Sequence, residues 1–189
     1  MNRFFASLLL LLLAACAGPP VQVAEAPQPS AQIGTERAVP APAASPARAP
    51  LVADYLLVDK SERLLIAYRN GKPIRSFRGL KFGAAPTGHK RFEGDERTPE
   101  GLYTIDTRNP QSRFHLSLRI SYPNRADRAF AAQYGRSAGG DIFIHGQPTG
   151  YRGPPLPGDW TDGCIALTNA EIEELWRIVP DGTPIEIRA

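Results

Sequence analysis

The stretch from Ala17 to Pro50 most limits what this chain can fold into, because alanine and proline dominate it, as in "VPAPAASPARAP". It holds too few large apolar residues to offset the conformational entropy of folding. Its prolines favour an extended backbone, so it reads as a semi-stiff spacer with a reach on the order of 100 Å. Tertiary structure is therefore expected only from Leu51 onward, in one domain of ordinary size. A hydrophobic content of 42% is enough for a core there, and the formal net charge of +3 is a small excess. No basic run is interleaved with aromatics, so nucleic acid is not an expected partner.

Ahead of the spacer, Arg3 precedes a nearly unbroken apolar run from Phe4 to Ala15. That run is short for a membrane span and has the proportions of an export signal. Its end, Leu13-Ala14-Ala15-Cys16, resembles the processing site of bacterial lipoproteins. The resemblance implies cleavage after residue 15 and a membrane anchor through lipidated Cys16. Ala17, standing where an aspartate would signal retention, implies the outer membrane of a Gram-negative envelope, with the domain on its periplasmic face. The expected organisation is a signal peptide at 1–15, a lipidated tether at 16–50 and a folded domain at 51–189. Lipidation of Cys16 leaves Cys164, the other of two cysteines, unpaired in a compartment that permits disulfides.

Within the domain, "YLLVDKSERLLIAYRNGKPIRSFR" reads as three strands joined by turns. Leu64, Ile66 and Tyr68 share one face, and Asn70-Gly71 is a hairpin signal. The polar segment from Ala84 to Gly101 is expected to be an ordered loop beside the site. "LYTIDT" resumes a strand. In "RFHLSLRISY", Phe114, Leu116, Leu118 and Ile120 alternate with His115, Ser117, Arg119 and Ser121, giving a half-buried strand. "RADRAFAAQYG" suggests a short helix ending at Gly135. "GGDIFIHG" is a strand with Asp141, Phe143 and His145 on one face, where either the Asp141 carboxylate or a backbone carbonyl is expected to orient the imidazole. Thr168 to Glu171 has the form of a capping box, and Ile172, Leu175, Trp176 and Val179 follow at helical spacing. Pro180 and Gly182 end that helix, and "TPIEIR" is a last strand. The fold class is mainly β (α+β), with one main helix packed on a sheet.

His145 stands nineteen residues before Cys164, and both fall at strand ends beside glycines. A thiol attacks as its thiolate, and an imidazole can take its proton and later return it to a leaving amine. The amides of Gly163 and Cys164 can face a developing oxyanion. From residue type alone, a lone cysteine before Ile-Ala-Leu is more often a small core residue. A lone strand-end histidine is likewise more often structural. One cysteine and three scattered histidines lack metal-ligand spacing, so neither a metal nor another cofactor is expected.

"IFIHG" followed by "DWTDGCIALTNAEI" resembles the signature of the L,D-transpeptidase catalytic-domain family (YkuD-like), and "GHKRFEGDERTPEGLYTI" resembles that family's upstream segment. The likeness runs from Leu51 to Arg188. It implies an L,D-transpeptidase-like β-sheet or sandwich domain with its main helix after the cysteine. It also implies Cys164 as nucleophile, His145 as proton donor and acceptor, and an oxyanion site in the backbone at Asp162 to Cys164. The implied partner is a peptidoglycan stem peptide ending in meso-diaminopimelate and D-Ala. The implied acceptors for its thioester are a second stem's amine (a 3→3 crosslink), water, or a lipoprotein lysine.

The motif departs from the family's usual one at Thr161, Asp162 and Ala166, which replace a serine, a histidine and an arginine. Thr161 and Asp162 are therefore expected on the substrate side. Arg119 is the candidate to replace the missing guanidinium. "DWTxGCIA" resembles the YafK-type branch of the family, some members of which act as hydrolases. A hydrolase with the same site, and a non-catalytic wall-tethering lipoprotein, stand as alternatives. A cysteine of depressed pKa would argue against the tether.

Overall fold

The computed structural model describes residues 51–189, and the expected signal peptide, Cys16 and spacer lie outside the described residues. The three N-terminal strands are β1 (Tyr55–Asp59), β2 (Leu64–Arg69) and β3 (Lys72–Arg78). They form an antiparallel meander in which Leu57 pairs with Ile66. The β2–β3 turn is Asn70-Gly71, both with positive φ (51° and 70°), the conformation that a two-residue hairpin demands and these residues tolerate.

Leu64, Ile66 and Tyr68 do share one face of β2, and it is the less buried one. Leu65 and Ala67 are fully buried, together with Leu56 and Val58 of β1, whereas Leu64, Ile66 and Tyr68 are half-buried. "LLIA" is apolar on both faces of the strand, so alternation alone did not settle which side meets the core.

The remaining strands are β4 (Gly101–Ser112), β5 (His115–Ile120), β6 (Phe143–His145), β7 (Ile165–Ala166) and β8 (Pro184–Arg188). The sheet order is β3-β2-β1-β8-β4-β5-β6-β7. β8 lies between β1, to which it runs parallel, and β4, to which it is antiparallel. β4 extends well beyond "LYTIDT". Its first residues pair with β8 and the rest with β5, across register shifts at Ile105/Thr107 and Asn109/Ser112. Those irregularities bend the strand and accommodate Pro110 inside it.

Two helices complete the domain: α1 (Arg125–Gln133) and α2 (Asn169–Ile178). Each starts with a full capping box, Asn124 with Asp127 and Thr168 with Glu171, so two first-turn amides are satisfied reciprocally. α2 buries Ile172 and Leu175 in the core shared with Leu118 and Ile144 of β5 and β6.

Between β3 and β4 the chain is irregular but tightly held. Asp95 accepts from buried Lys90 at 2.8 Å and from the amides of Arg91 and Phe92. Lys60, also buried, bonds Glu100 and the Gly88 carbonyl, each at 2.7 Å. The expected ordered loop is thus built around two lysines taken out of water with partners.

Candidate active site

β6 and β7 run side by side in parallel, with His145 opposite Ala166. Cys164 immediately precedes β7, so the fold carries it to the strand next to His145. Both side chains line one cleft of about 610 Å³, along with Arg113, Phe114, Trp160 and Asp162.

The loop leading to Cys164 is fastened at several points. The Asp159 carboxylate forms a two-pronged pair with the Arg63 guanidinium, at 2.7 Å on each oxygen, and accepts from the Phe82 amide at 2.9 Å. The Thr161 amide donates to the Phe82 carbonyl. Thr161 Oγ1 donates to the Cys164 carbonyl at 2.7 Å and accepts from the Gly163 amide at 3.2 Å. Thr98 Oγ1 holds the Gly163 carbonyl at 2.9 Å. Gly163 itself has φ 126°, and a Cβ there would sit 2.5 Å from the Arg97 carbonyl oxygen. Only glycine fits so close an approach at that φ.

Cys164 Sγ accepts from the Phe143 amide at 3.4 Å and faces the Asp141 carbonyl at 3.5 Å. Burial pushes the thiol up to about 11. The Phe143 amide opposes that shift, while the nearby carboxylates of Asp162 and Asp141 reinforce it. His145 is 3% exposed, and burial holds its pKa below the ordinary histidine value, with the Gly146 carbonyl opposing. A carbonyl only accepts, so the 2.8 Å contact from Nδ1 to the Gly146 oxygen fixes the proton on Nδ1 and leaves Nε2 with its lone pair. The ring stacks on Phe114 at 4.6 Å and meets the edge of Trp160 at 5.6 Å. The resting pair is a neutral thiol and a neutral imidazole, an arrangement that moves a proton during attack rather than storing a thiolate beforehand.

The other expected site residues fare differently. Asp141, exposed and at φ 54°, precedes β6 rather than extending it; the Gly146 carbonyl, not its carboxylate, orients the imidazole. The Gly163 amide already donates to Thr161, whereas the Cys164 amide has no partner among the described residues. Thr161 is buried and its hydroxyl bonds within its own loop, while Asp162 is exposed at the mouth of the cleft. Arg119 does not line the cleft that holds the thiol. Its guanidinium is closed onto Asp106, at 2.7 and 3.2 Å, over a neighbouring hollow. The backbone register places Arg119 opposite Phe143, so it is the ion pair with Asp106 that takes its guanidinium away.

Sequence reasoning gave no site role to Arg113, Phe114, Trp160 or Asp159. Phe114 was expected on the core face with Leu118. His115, at φ 66°, breaks the alternation at the first residue of β5, and Phe114 stacks on the imidazole. The indole N–H of Trp160 is buried without a protein acceptor.

Fold and site together define a mainly β domain with a Cys–His cleft, the arrangement on which cysteine acyl transfer is built. Residues 53–187 match the family model described as the L,D-transpeptidase catalytic domain (YkuD), and the chain belongs to that family. It is similar to YafK of Escherichia coli (strain K12), 29% identical over 131 residues, covering 66% of this chain and 46% of YafK. Among solved structures it resembles the helical cell shape determining protein Pgp2 from Campylobacter jejuni. That match has 29% identity and a TM-score of 0.57, covering 72% of this chain and 47% of Pgp2. Bd1075 of Bdellovibrio bacteriovorus shares the fold at 24% identity and a TM-score of 0.51, over 73% of this chain and 48% of Bd1075. The chain spans less than half the length of each of these relatives.

Proposed function

We propose that the protein is a cysteine acyltransferase of peptidoglycan stem peptides, an L,D-transpeptidase with Cys164 as nucleophile and His145 as its base. The observation that carries this reading is the tautomer of His145: an imidazole with Nε2 unprotonated shares a cleft with the Cys164 thiol. Family membership supplies the substrate class.

In the first half-reaction the thiol proton passes to Nε2 as sulfur bonds the carbonyl carbon on the L-centre side of diaminopimelate. The oxyanion is met by the Cys164 amide. Collapse of the intermediate breaks the C–N bond, the imidazolium returns the proton to the departing D-Ala amine, and a thioester remains. A second stem's amine then attacks the thioester and gives up its proton to Nε2. An amide forms and the thiol is regenerated, leaving a 3→3 crosslink. A lipoprotein lysine would follow the same course. Cys16 serves in this reading as a lipid anchor at the periplasmic face of the outer membrane; its support is the sequence Leu13 to Ala17.

The test is incubation with tetrapeptide muropeptides and mass spectrometry of the products, with Cys164→Ala as control. Cys164-dependent loss of D-Ala with dimer formation is expected. Loss of D-Ala without dimers would make water the acceptor and the protein a carboxypeptidase. Identical behaviour of wild type and Cys164→Ala would leave the wall-tethering alternative.

A further inference from the structure

We propose that Arg113 is the carboxylate anchor of the cleft, in place of the arginine missing at position 166. The inference rests on the stem-peptide reading above. Arg113 is the one side chain lining the cleft that is always cationic. Among the described residues its guanidinium enters no ion pair, whereas Arg119 is closed by Asp106 and Arg63 by Asp159.

Its backbone is fixed. Arg113 sits on the turn between β4 and β5, and its carbonyl accepts from the Thr149 amide at 2.7 Å. Thr149 Oγ1 in turn donates to the Ser112 carbonyl and accepts from the His115 amide. The next residue, Phe114, stacks on His145. A fixed turn therefore carries an exposed guanidinium to the imidazole end of the cleft.

The thiol is flanked by the opposite charge, since Asp162 and Asp141 line the cleft with Cys164. A substrate carboxylate is repelled there and attracted at Arg113. The amine that leaves must reach His145, and in a stem ending in D-Ala the terminal carboxylate is one carbon from that amine. The terminal carboxylate is therefore the expected partner, with the side-chain carboxylate of diaminopimelate as the other source of the same chemistry.

The experiment measures binding, so it does not depend on turnover. The full chain carrying Cys164→Ala is titrated calorimetrically with the tetrapeptide stem, with and without Arg113→Gln or Arg113→Lys. Arg113→Gln is expected to weaken binding about tenfold, the scale of one charge-assisted pair, and Arg113→Lys to recover part of it. Two further peptides carry a carboxamide at the D-Ala terminus or on the diaminopimelate side chain. The amidation that itself weakens binding and abolishes the effect of Arg113→Gln identifies the carboxylate that Arg113 holds. Equal affinity with and without Arg113, absence of peptide binding, or full sensitivity to Arg113→Gln with both amidated peptides would overturn the proposal. Failure of D-Ala release by the wild type, with Arg113-dependent binding intact, would instead count against the transferase reading alone.

Discussion

At the residue scale, Cys164 and His145 are matched by being neutral together. Cys164 is pushed up to about 11 chiefly by burial, so only a small fraction is thiolate at neutral pH. The sign of the pH dependence follows. Alkylation by iodoacetamide should rise about tenfold per pH unit between pH 7 and 10. A plateau beginning below pH 8 would instead mean a stored thiolate–imidazolium pair. The Asp162 carboxylate adds to the upward push, so Asp162→Asn should lower the thiol pKa and speed alkylation at pH 8 about two- to fivefold. Asp162 beside Cys164 thus slows the resting thiol. A low thiol pKa does not separate enzyme from tether here, because the catalytic reading itself uses a protonated thiol.

At the scale of elements, the segment entering β7 depends on contacts from distant parts of the sequence. Asp159 reaches Arg63 just before β2, and the Arg63 hydrogen bond is the main cause of its lowered carboxylate pKa. A lowered folded value means stability that is present above about pH 4 and lost as pH falls through it. Asp159→Asn should cost about 1–2 kcal/mol at neutral pH, less than a fully buried pair would, because Arg63 is 39% exposed and partly screened. Urea unfolding of both proteins at pH 7 and pH 3 tests this, and the difference should shrink at pH 3.

The same scale shows what the sequence could tell. The capping box at Thr168, the Asn70-Gly71 turn and the pairing of His145 with Cys164 were legible because each rests on local chemistry at short spacing or on a specific motif. The clasp from Asp159 to Arg63 and the diversion of Arg119 to Asp106 were not. They depend on which strands become neighbours and in what register. Phe114 was misplaced because one left-handed residue, His115, interrupts an otherwise regular alternation.

At the scale of the whole molecule, the sheet is continuous from β3 to β7 and its middle is occupied by β8. Ile185 and Ile187 are buried there, and β8 bonds β1 on one side and β4 on the other. Deleting residues 184–188 should therefore abolish cooperative folding rather than trim an edge, read as loss of the far-UV dichroism of the sheet and of a thermal transition. The position of β8 also sets the order of events when the chain is made. Among the described strands the meander of β1 to β3 is made first, yet the strand that joins it to the half bearing His145 and Cys164 is made last. A chain threading out from its N-terminus therefore cannot join these two parts of its sheet until residues 184–188 are free.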